Sequence, residues 1–247
     1  MRNLVISDLH ANEEALSAVL RRAENEQIDR LICLGDFVGY GARPNEVVEM
    51  IREYPGEALY VRGNHDRVAV GYDDGSEFNH AALAAALWTR DSLTDENRRF
   101  LEELPLGPTE DGEGIMLCHG SPHDEDEYLF TDLDAARIFL ESEAPVILLG
   151  HTHLPTVFEL DLEAMLTGHL INDSRRIELD LSCRYLVNPG SVGQPRDRNP
   201  LASFAILDTE VRTVEFIRVP YDIASTQRSI IEAGLPRILA DRLGFGF

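Results

Sequence analysis

Leu4-Val5-Ile6-Ser7-Asp8-Leu9-His10-Ala11-Asn12 is an apolar, β-branched run of strand length that stops at an acid, a spacer and a histidine. In an extended segment, residues i and i+2 point to the same side. Asp8 and His10 are therefore expected to offer a carboxylate oxygen and an imidazole nitrogen to one point just past the strand end. That pairing suits a divalent cation. An Asp-x-His triplet alone is common, so its meaning depends on whether other strand ends repeat it.

They do. Arg30–Leu34 runs into Gly35-Asp36, and Ala58–Val61 into Gly63-Asn64-His65-Asp66. Ile115–Cys118 leads to His119, and Val146–Leu149 to Gly150-His151-Thr152-His153. Between the first runs lie helical patterns, one over 12–26 with Ala15, Leu16, Val19, Leu20 and Ala23 inward, the other opened by Pro44 with Val47, Val48, Met50 and Ile51 inward. Strand, helix, strand, helix, strand implies parallel pairing with crossover helices. In open α/β sheets ligands bind beyond the carboxyl ends of the strands, so five such endings on neighbouring strands are expected to converge on one cleft.

Beyond residue 155 the pattern changes to strands without long helices, at 156–160, 177–187, 202–207 and 211–219, followed by a helix over 223–233 and a short tail. The segment 76–105 reads as two helices, the second capped by Thr94, packed as a flap. The expectation is one α/β domain over 1–247 with a mixed second half and the flap within it.

Composition narrows the function. The formal net charge is −22, and all 22 cations are arginine. Acids are spread along the chain, which argues against a disordered acidic tail and against a surface that grips nucleic acid by its phosphates. No apolar run approaches the ~20 residues of a membrane span. No signal design opens the chain, so a cytoplasmic location is expected. Cys33, Cys118 and Cys183 are too few and scattered for a disulfide framework, and all sit in apolar runs. Self-repulsion of this size is relieved by screening, so a high-salt setting is expected. Melting across a salt series checks this: the Tm should rise from low to molar salt, and an unchanged Tm would refute it.

Asp8, Asp36 and Asn64 supply oxygens; His10, His119, His151 and His153 supply nitrogens. Seven groups exceed one tetrahedral zinc and suit two ions sharing a carboxylate. The mixture favours manganese first, with iron, zinc or nickel as alternatives, over calcium or magnesium.

Asp8-Leu9-His10, Gly35-Asp36, Gly63-Asn64-His65-Asp66, His119 and Gly150-His151-Thr152-His153 resemble, in order, the motifs of the calcineurin-like metallophosphoesterases. Asn188-Pro189-Gly190-Ser191-Val192-Gly193 is similar to a loop of the small prokaryotic phosphodiesterase branch. Residues 35–41 with Pro44-Asn45-Glu46 resemble a subgroup described as diadenosine tetraphosphatase-like. The resemblance implies a four-layer α/β/β/α sandwich of two mixed sheets flanked by helices. It implies one ion on Asp8, His10, Asp36 and His153, and a second on Asp36 as bridge, Asn64, His119 and His151. His65 would stay off the ions, near the leaving oxygen with a pKa near working pH, and Asp66 would orient its ring. The implied reaction is hydrolysis of a phosphodiester or nucleotide anhydride by hydroxide held between two ions. The implied partner is a small phosphorylated substrate such as a dinucleoside polyphosphate. Phosphomonoester or phosphoprotein phosphatases, and non-catalytic scaffolds such as the retromer subunit, share the fold. The scaffolds lack the histidine of the Asn-His pair, which is present here as His65.

Other residues have plainer readings. Asn12 reads as a helix cap, Cys118 as core, and His80 and His169 as surface. His123 follows Gly120-Ser121-Pro122 closely enough to approach the cleft, although surface placement is the default. Arg43, Arg62 and Arg67 flank ligand loops and serve either phosphate or surface ion pairs.

Overall fold

The computed structural model describes residues 1–247. Its first half alternates β1 (Arg2–Ile6), α1 (Glu13–Ala23), β2 (Arg30–Cys33), α2 (Pro44–Arg52) and β3 (Glu57–Tyr60). Helices α3 (Asn64–Ala69), α4 (His80–Ser92) and α5 (Asp95–Glu102) follow, then β4 (Thr109–Glu110), β5 (Ile115–Leu117), α6 (Asp132–Glu141) and β6 (Val146–Leu148). The second half carries β7 (Pro155–Leu160), β8 (Leu166–Leu170), β9 (Arg175–Glu178), β10 (Arg184–Pro189), β11 (Ala202–Asp208) and β12 (Thr213–Val219), closed by α7 (Ile223–Glu232) and α8 (Arg237–Asp241).

The strands form two six-stranded sheets, ordered β3-β2-β1-β11-β12-β9 and β4-β5-β6-β10-β7-β8. Both are mixed: β1, β2 and β3 run parallel while β11 opposes β1, and β5, β6 and β10 run parallel while β7 opposes β10. Strand alternation sorts the apolar runs. Leu4, Ile6, Leu31 and Cys33 face α1, α2 and α5, where they meet Leu16, Val19, Val47, Ile51 and Leu101. Val5 and Ile32, with Phe216 of the same sheet, face the other sheet and meet Leu117, Leu148 and Val187. On the far side Ile147, Phe158 and Leu186 pack under Ile138 and Phe139 of α6. Strands covered on both faces read as unbroken apolar runs, which is why the sequence signalled them clearly. The result is an α/β/β/α sandwich of two mixed sheets.

Several expectations change. The five ligand-bearing ends do not lie on one sheet: β1, β2 and β3 belong to the first and β5 and β6 to the second, so the cleft forms where two sheets meet. The run 177–187 is two strands in different sheets, β9 and β10, separated by a turn in which Asp180 accepts from the Ser182 amide at 2.8 Å. Leu181 in that turn is exposed, and Cys183 is only half-buried, so their apolar character misled the reading. A hairpin strand, β8, pairs with β7 across the Asp161 turn, where Asp161 accepts from the Glu163 and Met165 amides. In segment 76–105, α4 and α5 sit on the body: Leu93 and Leu101 enter the core beside α2, and Ala82 and Ala85 pack on Tyr40 and Ile230. The tail is folded as well, with Leu239 and Leu243 in the same cluster.

Candidate metal centre

Ligand loops begin where pairing ends, and their backbone is unusual. Asp8, His10, Asp36, His151 and His153 all have positive φ, between 47° and 63°. The expected extended backbone at Asp8 and His10 is therefore absent; the loop curls, and left-handed geometry aims both side chains inward. Each such residue costs on the order of 1–3 kcal/mol, which the surroundings must offset. They do so by continuing the ladder: the Asp8 amide donates to Gly35 O at 3.0 Å and the His10 amide to Asp36 O at 2.9 Å. Gly63 lets these loops touch, because a Cβ there would stand 2.2 Å from Asp36 Oδ1. Gly63→Ala should displace that carboxylate and lower metal content at both groups, read by elemental analysis of purified protein; unchanged content would refute it.

Loop 188–193 is the brace between the sheets. The Asn188 amide nitrogen donates to Gly150 O at 2.6 Å, and Ser191 Oγ donates to Asp8 O at 2.8 Å. The Gly193 amide also donates to Asp8 O, at 2.9 Å. This loop thus ties the end of β1 to the end of β6.

The side chains meet in two buried groups sharing Asp36: Asp8, His10, Asp36 and His153, and Asp36, His119 and His151. A backbone carbonyl can only accept, so each contact fixes a tautomer. His10 Nδ1 donates to Val38 O, His119 Nδ1 to Leu34 O and His153 Nδ1 to Gln194 O, leaving three Nε2 atoms inward. His151 is reversed: Nε2 donates to Asp126 O at 3.1 Å, so Nδ1 faces in. Inward nitrogens then face each other in each group, His10 Nε2 and His153 Nε2 at 3.1 Å, and His119 Nε2 and His151 Nδ1 at 3.2 Å. Nitrogens this close need a cation between them, either a metal ion or, at His119, a proton. Both Asp8 carboxylate oxygens and Asn64 Oδ1 are buried without a hydrogen-bond partner. Asp36 Oδ2 lies 3.5 Å from His10 Nε2 and 3.4 Å from His119 Nε2. Such a donor set fits divalent transition metals.

Burial keeps three of the four imidazoles neutral, His119 being the exception. Burial pushes Asp8 up and His10 and His153 well down, and it holds His151 at about 3. Burial opposes charge on Asp36 and His119 too, but each offsets it for the other: Asp36 falls well below the carboxylate range and His119 rises to about 10.

Asn64, the first residue of α3, lines an adjoining cleft of about 330 Å³ together with His151 of the second group, and His65 stands on the same wall. Its ring is held between Tyr40 and Phe78, both at 4.4 Å. Burial lowers His65 to about 4, so its ring is neutral at pH 7, unlike the expectation. Asp66 does not orient it. The Asp66 carboxylate accepts from the amides of Val38 at 3.2 Å and Gly63 at 3.0 Å, and His65 Nδ1 has no partner. Asp66 therefore shapes the ligand loops. In sequence it looked like a ring partner only because it is adjacent, yet successive helical residues point apart.

Asn12 caps α1, accepting from the Ala15 amide at 3.1 Å. Cys118 is core, while His80, His169 and His123 are exposed, the last paired with Glu141 at 2.6 Å. Arg43 pairs with Glu46. Arg62 and Arg67 both hold Glu125, and Arg67 also holds Asp126 at 2.8 Å. They position the loop whose Asp126 carbonyl turns His151 around. Sequence reading missed Tyr40, Phe78, Tyr128, which stacks on His151 at 4.0 Å, and Arg196. An arginine three residues past the 188–193 loop was the available signal.

A two-sheet sandwich carrying this histidine–carboxylate cluster at its strand ends defines a metallophosphoesterase. The model of the calcineurin-like phosphoesterase superfamily domain matches residues 1–212, and the chain belongs to that family of hydrolases. It is 41% identical over 246 residues to an uncharacterized protein of Methanocaldococcus jannaschii, covering 98% of this chain and 97% of that one. It is similar to the solved metallophosphoesterase of Sphaerobacter thermophilus, with 40% identity, TM-score 0.86, and 100% and 99% of the two chains covered. A hypothetical protein of Pyrococcus horikoshii OT3 has 25% identity and TM-score 0.81, over 100% and 98% of the chains. No helix of the protein is long and apolar enough to cross a membrane.

Proposed function

We propose that the protein is a dinuclear phosphohydrolase that cleaves a small phosphodiester or a nucleotide phosphoanhydride. The observation that carries this is the pair of buried donor groups, each with two inward imidazole nitrogens 3.1 Å or 3.2 Å apart, on either side of one carboxylate, Asp36. One divalent ion would take Asp8, His10, Asp36 and His153; the other would take Asp36, Asn64, His119 and His151. Bound there, such ions supply charge for phosphoryl oxygens and acidify water, and manganese suits the donor set first.

The chain's own residues do the rest. Carbonyls of Leu34, Val38, Gln194 and Asp126 hold four imidazoles in fixed tautomers, so little reorganisation accompanies reaction. His65 offers its ring N–H to the leaving oxygen. An arriving phosphate raises the His65 pKa by opposite charge, so the ring can carry the proton that this oxygen takes up as its bond to phosphorus breaks. The cleft beside it is small and walled by Tyr40, Phe78 and Tyr128, which favours a small, partly aromatic substrate over a folded phosphoprotein. The test is a manganese-loaded assay in high salt comparing bis-p-nitrophenyl phosphate, p-nitrophenyl phosphate and diadenosine tetraphosphate. Turnover of the diester or the anhydride above the monoester supports the reading; a preference for the monoester makes the protein a phosphomonoesterase instead.

A further inference from the structure

We propose that Arg196 and Arg242, gathered around Tyr40, form an anion subsite that holds a phosphoryl group of the substrate next to the reacting one. The choice of ligand rests on the phosphohydrolase reading above; the subsite itself rests on the following geometry.

Tyr40 is the hinge of the arrangement. One side of its ring meets the cluster, with His10 at 4.6 Å and His65 at 4.4 Å between centroids. Two guanidinium groups lie against it as well, Arg196 at 5.8 Å and Arg242 at 6.0 Å from the centroid. The two come from opposite directions in the chain, Arg196 from the stretch after the brace loop and Arg242 from the 3₁₀ turn Arg242–Gly244 after α8. Packing of the tail onto Tyr40, through Leu239 and Leu243, is what brings Arg242 there.

Neither cation pairs with an acidic side chain, although the chain has 44 acids against 22 arginines. Asp197, next to Arg196, is buried against Arg218 instead. Arg196 spends one terminal nitrogen on neutral oxygens, Tyr40 Oη at 3.3 Å and Gln194 Oε1 at 3.2 Å, and its Nε is buried with no partner. Arg242 donates from Nε to the main-chain oxygen of Phe247, which orients its fork and leaves both terminal nitrogens without a partner in the protein. Two half-buried like charges beside one ring repel, and burial together with Arg196 lowers the Arg242 pKa. An anion between them removes the repulsion and satisfies the open donors.

Phosphate is the anion this geometry recognises. Guanidinium forks match phosphoryl oxygens in paired hydrogen bonds, and a tyrosine hydroxyl adds a neutral donor. His10, His65 and both guanidinium groups all lie within 6.0 Å of the Tyr40 ring centroid, so a group held here sits beside the cluster, on the side where a second phosphoryl group of an anhydride would extend. In a chain of net charge −22 such a positive spot also gives an anionic substrate a place to settle.

The test is titration calorimetry of manganese-loaded protein with inorganic pyrophosphate, ADP and orthophosphate, with manganese matched in cell and syringe. Pyrophosphate should bind about tenfold or more tightly than orthophosphate. Arg196→Gln and Arg242→Gln should each remove most of that advantage, and Arg242→Lys should restore part of it, with unchanged melting curves showing that the variants fold. A loss with pyrophosphate and ADP alike assigns the subsite to the phosphoryl group itself, and a loss with ADP alone assigns a nucleotide as its source. No advantage of pyrophosphate and ADP over orthophosphate in the wild type, or no loss in either glutamine variant, overturns the proposal. These titrations need no turnover, so they are independent of diester hydrolysis, whose absence would instead overturn the functional reading.

Discussion

Asp36→Asn is expected to strip metal from both groups at once and to lower turnover by about 10³-fold or more, since in the proposed reaction both ions would acidify the water and offset charge on the phosphoryl oxygens. Its carboxylate is the one side chain shared by the two groups. Its Oδ2 is 3.5 Å and 3.4 Å from the inward nitrogens of His10 and His119, while Oδ1 accepts from the His65 amide at 2.9 Å. Asparagine keeps the size but removes the negative charge that offsets two cations in a buried site, and metal ligands must be deprotonated to bind. Asp8→Asn gives the contrast. Asp8 belongs to one group only, so the expected result is loss or weakening of one ion with the other retained. Elemental analysis of the two variants separates the cases. Two ions retained in Asp36→Asn, or both lost in Asp8→Asn, would show that the groups do not share the carboxylate in the manner described.

His65→Ala should keep both ions and lose about 10²–10⁴-fold in kcat, the usual range for a positioned proton donor. The ring belongs to neither ligand group, so its removal leaves the metal count unchanged. It packs against Tyr40 and Phe78 and lines the cleft, so in the proposed reaction its loss would remove a hydrogen bond to the leaving oxygen. Asp66→Asn behaves differently in this structure. Because Asp66 accepts from the Val38 and Gly63 amides, its change should loosen the ligand loops and show up as lost metal or lower Tm, with no separate effect on proton transfer. Near-full turnover in His65→Ala with a normal metal content would end its assignment as proton donor.

Much of the candidate site was legible because each proposed ligand sits at the end of an apolar run, and both signals are local. Asp8, His10, Asp36, Asn64, His119, His151 and His153 could be named one strand end at a time. The cap at Asn12 and the helices beginning at Pro44 and Asp95 were equally local. The reading failed where a local pattern has two structural meanings. Apolar residues from 177 to 187 look like one strand, yet a turn at Asp180 sends β9 and β10 to different sheets. Asp66 looks like the partner of its neighbour His65, yet its oxygens are taken by backbone amides.

The sequence by itself determined the donor types, the two-sheet class of fold through its resemblance, and the family, because burial periodicity and ligand chemistry are written in consecutive residues. Only the tertiary structure decided which nitrogen of each imidazole faces in, since that depends on carbonyls of Leu34, Val38, Asp126 and Gln194 brought from other loops. It alone decided that the opening loop is curled at Asp8 and His10, held by hydrogen bonds to Gly35 and Asp36. It alone put Arg196 and Arg242 on one ring. These relations join residues up to two hundred positions apart, and sheet and helix packing sets such distances, which no local period encodes.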